Sequence, residues 1–204
     1  MSSLRIFIIG LLATIIAAAP ATAQQRQAAP ARDLSIKAFF GTFTGTGLAK
    51  TEDSQYFGVT VRDLDAKIEG TPGDGFKITW TSVIRSGGDP ARPRVRRREA
   101  SLEFVPTKLT PAEAAETGVK TETLGFRGKG AQIGDPIDGK FQTWARIRRN
   151  TLLIHILQIN EEGGYDLETY ARTLSGAGMD LIYSRERDGE QLRSVKGKLI
   201  KNAG

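Results

Sequence analysis

Between Thr151 and Asn160 the chain reads TLLIHILQIN, a run that is apolar on both faces if extended. Leu152, Ile154 and Ile156 fall on one side, and Leu153, His155, Leu157 and Ile159 on the other. A strand apolar on both faces has to be covered on both, which predicts a place inside a sheet with something packed on each side. The segments Lys140–Arg148, Tyr165–Leu174, Met179–Arg187 and Gln191–Lys201 flank it, separated by Arg149-Asn150, Glu161–Gly164, Ser175–Gly178 and Asp188-Gly189. Connections so short make sequential strands antiparallel neighbours, and Asp-Gly is a strong hairpin signal.

The same period-two reading extends upstream. Phe39–Ala49 places Phe39, Gly41, Phe43, Gly45 and Gly47 on one face, a glycine pattern expected at a sharp bend or close approach. Gln55–Glu69 is a second strand whose parity slips near Arg62, where a bulge is expected. In the third, Phe76, Ile78, Trp80, Ser82 and Ile84 alternate with Lys77, Thr79, Thr81, Val83 and Arg85. Arg94–Val105 and Thr121–Gln132 complete the set, separated by Thr110–Gly118. That segment carries Thr110 as N-cap, Pro111 at the first helical position, Glu113 in a capping box and Gly118 as stop, which predicts one short helix. The stretch Phe43-Thr44-Gly45-Thr46-Gly47 is echoed by Phe126-Arg127-Gly128-Lys129-Gly130. About ten strands exceed what a small open sheet holds, so the expected fold is all-β. It is an antiparallel up-and-down β-barrel with one short helix, the alternative being a two-sheet β-sandwich.

The N-terminus gives an address. Met1–Arg5 carries one positive charge, Ile6–Ala19 is apolar, and Ala21-Thr22-Ala23 is a small-residue cleavage box. That order is expected of a secretory signal peptide over residues 1–23, cleaved after Ala23. Ile6–Ala19 is short for a membrane anchor, and no later segment would span a membrane as a helix. Gln24–Arg32 is Ala/Pro-rich and polar, so residues 24–34 are expected to be a disordered leader before a single barrel domain, residues 35–204. The expected location is periplasmic or secreted. With no cysteine in the chain, there is no disulfide framework, thiolate nucleophile or thiolate metal site. The net charge of +6 suits anionic envelope components better than nucleic acid, because basic and aromatic residues are not interleaved in an RNA-binding pattern.

Gly41-Thr42-Phe43 near the expected mature start resembles the G-x-W of the first strand in calycin-like barrels, with Phe for Trp. Those barrels include the lipocalins, the ten-stranded fatty-acid-binding proteins and the nitrobindin type. The resemblance covers most of the mature chain as architecture. It implies a barrel that holds one apolar or amphipathic small molecule. No haem-ligand motif of the nitrobindin type is matched, and no cofactor is expected.

The candidate site follows from parity. Arg94, Arg96 and Arg98 share the side of Ala100, Leu102 and Phe104, which would put three guanidiniums at a barrel mouth. Guanidinium forks suit carboxylate or phosphate, so such a rim selects an anionic, lipid-like amphiphile with its tail on the apolar wall. Arg146, Arg148 and Arg149 would join it if those strand ends coincide. The competing reading is a solvated edge whose arginines deter aggregation. Phe43, Phe76, Trp80 and Trp144 read as core or as pocket lining. His155, the single histidine, reads as a core or ligand-contacting imidazole with a lowered pKa.

One histidine and no cysteine leave no zinc site, and Asp135 and Asp138 lack the spacing of a calcium loop. Gly128–Gly139 lacks G-K-[ST] and a following helix, so it reads as a strand end and turn rather than a phosphate loop. No catalytic residue is assigned. The expected function is non-catalytic binding of a small hydrophobic or anionic amphipathic ligand inside the barrel. The alternative is an envelope structural or interaction module without a pocket.

Overall fold

A computed structural model of the protein describes residues 32–51, 60–86, 94–107 and 125–203. They form ten strands: β1 (Gly41–Thr51), β2 (Thr60–Thr71), β3 (Gly75–Ser86), β4 (Arg94–Thr107), β5 (Gly125–Lys129), β6 (Gln142–Arg148), β7 (Thr151–Ile159), β8 (Tyr165–Ser175), β9 (Gly178–Arg187) and β10 (Glu190–Lys201). Every strand pairs with its sequence neighbour, and β1 pairs antiparallel with β10 from Phe43 opposite Lys201 to Thr51 opposite Arg193. The ring is therefore an all-β, antiparallel, up-and-down closed barrel rather than a two-sheet sandwich. The only helical turns among the described residues are two 3-10 turns, Ile36–Phe39 and Pro136–Asp138. The helix expected over Thr110–Gly118, and the signal segment, lie outside the described residues.

The turns form where the chemistry allows positive φ. Asp188 and Gly189 both have φ above zero (52° and 87°), as a two-residue hairpin matching the strand twist requires. At the β7–β8 turn, Asn160 Oδ1 accepts from the backbone N–H groups of Glu162 (3.1 Å) and Gly164 (2.8 Å). Asp135 Oδ1 likewise accepts from Ile137 N at 2.9 Å, which caps the turn after β5.

Two expectations need correction. The register of β2 is unbroken from Arg62 to Thr71 against β3, so there is no bulge near Arg62. The break in the apolar pattern is Arg62 itself, which occupies an inward position in the series Arg62, Leu64, Ala66, Ile68. The bulge lies instead in β10, between Gln191 and Arg193. The second correction concerns β7, whose inner face (Leu152, Ile154) is closed while its outer face is only half-buried. Lateral pairs shade that outer face, Trp144 opposite His155, Leu153 opposite Ala171 and Leu157 opposite Leu167, in place of a second packed layer among the described residues.

The barrel has a filled end and an open end. At the filled end, Phe43, Phe76 and Phe104 are wholly buried. The Phe76 ring stacks on Phe104 at 4.8 Å and meets Phe126 edge-on at 5.1 Å. Lys201 Nζ lies 5.8 Å from the Phe43 ring centroid. The first 3-10 turn plugs this end with Ile36 and Phe39. Just before it, Leu34 N donates to Arg149 O at 2.8 Å, and Arg149 N donates to the Asp33 carboxylate. The two F-x-G stretches are built alike. Phe43 and Phe126 both point into this core, and a Cβ at Gly45 or Gly128 would collide with Lys198 O or Thr143 Oγ1. Only glycine lets neighbouring strands press that closely.

Candidate ligand-binding site

Above the phenylalanine layer the interior opens into a cavity of about 730 Å³. Its size lies within the range of small-molecule sites. Aromatic rings span the barrel at this level. Trp80 from β3 meets Tyr170 from β8 at 5.2 Å, and Tyr170 meets Tyr183 from β9 at 4.7 Å. Leu64, Leu102, Ile156, Leu181 and Val195 supply apolar wall.

The charge inside is unusual. Arg62 and Arg172 line the cavity and are 8% and 1% exposed, and the Nε of each has no hydrogen-bond partner. Burial lowers the Arg172 guanidinium to about 10, which leaves it cationic at neutral pH, and its Cζ sits 5.7 Å from the Tyr170 ring centroid. Arg193 is a third cavity arginine whose Nε lacks a partner, and burial lowers its pKa too. A buried cation without a carboxylate beside it costs several kcal/mol by order of magnitude.

Carboxylates are present too: Asp65, Glu99 and Glu168 line the cavity, and Asp166 lies outside its lining. Asp166 accepts from Arg185 (3.0 Å) and Arg187 (2.9 Å); the bond from Arg187 is the main reason its pKa is held low. Glu168 accepts from Tyr170 Oη at 3.0 Å, and its charge acts on Tyr183 as well. Burial, followed by the Glu168 charge, pushes both phenols well above the usual tyrosine range, so they stay protonated donors.

The residues expected from sequence fall in different places. Trp80 and Arg98 line the cavity. Arg96 shares the inward register, opposite Ile84, but is exposed and does not line the cavity. Arg94 opens β4 opposite Ser86, and its side chain lies outside the described residues. Phe43 and Phe76 belong to the filled end below the cavity.

Trp144 and His155 are corrections, because they sit on the outer wall. Their rings stack there at 4.9 Å, and His155 Nδ1 is 3.1 Å from Thr169 Oγ1. Burial, then the Arg146 charge, lowers the His155 pKa, so the imidazole is neutral at pH 7. The reason is parity. In β6 the inward positions are Thr143, Ala145 and Ile147, which turns Trp144 outward beside His155. Arg146, Arg148 and Arg149 do not join the mouth either, because β6 runs from the open end toward the filled end and the β6–β7 hairpin lies there.

Sequence reasoning missed Arg62, Glu168, Tyr170, Arg172, Tyr183 and Arg193. The signal for Arg62 was its place in an apolar inward series. For β8 the signal pointed the wrong way, since Asp166, Glu168, Tyr170 and Arg172 form the polar parity that period two ordinarily turns to solvent.

No protein-family model matches the chain, and no curated protein matches it. Among solved structures it is similar to the S-type phycobiliprotein lyase CPES from Guillardia theta. That likeness has 8% identity and a TM-score of 0.32 over 84% of this chain and 94% of the other. At that score the two backbones superpose loosely. Fold and site together define a closed ten-stranded barrel with an arginine-lined internal cavity.

Proposed function

We propose that this is an exported, non-catalytic binding protein that holds one small anionic amphiphile inside its barrel, in the manner of calycin-like carriers. The observation that carries the reading is the pair of buried arginines, Arg62 and Arg172, each with an unpartnered Nε at the wall of one cavity. Leu64, Ile156, Leu181 and Val195 give the apolar part of a ligand a surface, and the guanidiniums give its anionic group a partner. Arg98 stands at the mouth, near enough to Tyr183 to act on its ionisation, where it would draw an anion toward the opening. Export rests on the N-terminal sequence alone. No helix among the described residues is long and apolar enough to cross a membrane.

The test is native mass spectrometry of protein purified from its own host, followed by displacement of anilinonaphthalene sulfonate with octadecanoate. A copurifying acid and micromolar displacement are expected, with loss of at least about tenfold in Arg172→Met, the scale of a charged hydrogen bond. Protein that emerges empty and takes up no amphipathic acid would sink the reading.

A further inference from the structure

We infer that the cavity reads a second group on its ligand, a hydroxyl, and that Glu168 is the residue that reads it; this rests on the carrier reading above. Glu168 lies in the cavity wall and makes no ion pair with a described residue. The neighbouring Arg185 and Arg187 are engaged by Asp166 instead. Its one hydrogen bond among the described residues comes from Tyr170 Oη, at 3.0 Å. A carboxylate offers about four acceptor positions, so one phenol leaves the others open on the cavity side. The Tyr170 hydroxyl is already directed at Glu168. What the carboxylate lacks is a further donor, and the space beside it is ligand space.

The chain places this acceptor at a definite depth. β8 runs from the open end at Tyr165 toward the filled end at Ser175, so Arg172 lies deeper than Glu168 on the same inward face. Four residues of strand put their Cα atoms about 13 Å apart. An amphipathic acid that enters anion first would set its carboxylate toward Arg172 and leave a mid-chain group beside Glu168. A plain alkyl chain there leaves the carboxylate facing apolar carbon. A hydroxyl donates to it. The class that fits is a hydroxylated amphipathic acid, and an unsubstituted acid fits less well.

The experiment compares displacement of anilinonaphthalene sulfonate by octadecanoate, by a mid-chain hydroxyoctadecanoate and by the methyl ester of the latter. Wild-type protein is expected to prefer the hydroxy acid by about tenfold or more, the scale of a hydrogen bond to a charged group. The ester, lacking the anion, is expected to bind weakly. In Glu168→Gln the ratio between the two acids falls to near one. Should that variant fail to fold, Glu168→Asp, which draws the carboxylate back by one methylene, is measured and is expected to lose most of the preference. Equal affinity of wild type for both acids, or a preference that survives these substitutions, overturns the inference while leaving the carrier reading standing. Failure of either acid to bind overturns both.

Discussion

The two ends of this barrel solve the problem of an enclosed interior in opposite ways. The end sealed by Ile36–Phe39 is filled with Phe43, Phe76, Phe104 and Phe126, and its rings touch. The open end keeps its space and lines it with Arg62, Arg172, Arg193, Glu168 and two tyrosines. The filled end stabilises the fold through apolar burial and packing. At the open end, buried guanidiniums without carboxylates lower stability in exchange for an interior that is polar where a ligand would sit. One barrel thus has a packed half and a cavity half along its axis.

The largest expected effect tests the filled half. Phe76→Ala removes a ring that stacks on Phe104 and meets Phe126 edge-on, and a loss of about 3–5 kcal/mol is expected in denaturant unfolding. Octadecanoate uptake by the folded fraction should stay measurable, because Phe76 does not line the cavity. A mild loss would mean that the filled end collapses around the gap.

The open half should respond with the opposite sign. Arg172→Met exchanges a buried charge for an apolar side chain, and unliganded protein is expected to gain about 1–4 kcal/mol. A loss of stability in the same unfolding measurement would show that Arg172 is a structural partner rather than a waiting one.

A smaller effect sharpens the boundary between the halves. Gly128→Ala drives a methyl into the inward Thr143 and is expected to cost about 1–3 kcal/mol by overpacking. Gly128→Ala combined with Thr143→Ala should recover most of that loss, as melting temperatures would show.

The smallest effect is pH-dependent and belongs to neither half. His155 has a folded pKa below its ordinary value of 6.5, with burial the first cause. Its contribution to stability is therefore complete above about pH 6.5 and is lost as pH falls through the lowered folded value. Melting temperature should decline across that window in wild type and decline less in His155→Gln. Octadecanoate affinity should respond little to this substitution, since the ring lies on the outer wall. A large change in affinity would mean that outer wall and cavity are coupled.

Alternation and turn chemistry alone pointed to about ten antiparallel strands in sequence order. Both are local properties: side chains alternate with period two, and Asp188-Gly189 or Asn160 sets a turn from within a few residues. Closure decided the site. On β7 both parities are apolar, so nothing local told Ile154 from His155 as the inward residue. On β8 the polar parity went inside, against the usual rule, because Glu168, Tyr170 and Arg172 border a cavity and not a core. Arg62 and Arg172 lie 110 positions apart in the sequence and on different strands, yet both line the same space. Only the curvature of the closed sheet brings them there, since a strand's sequence fixes its alternation but not which side the barrel encloses.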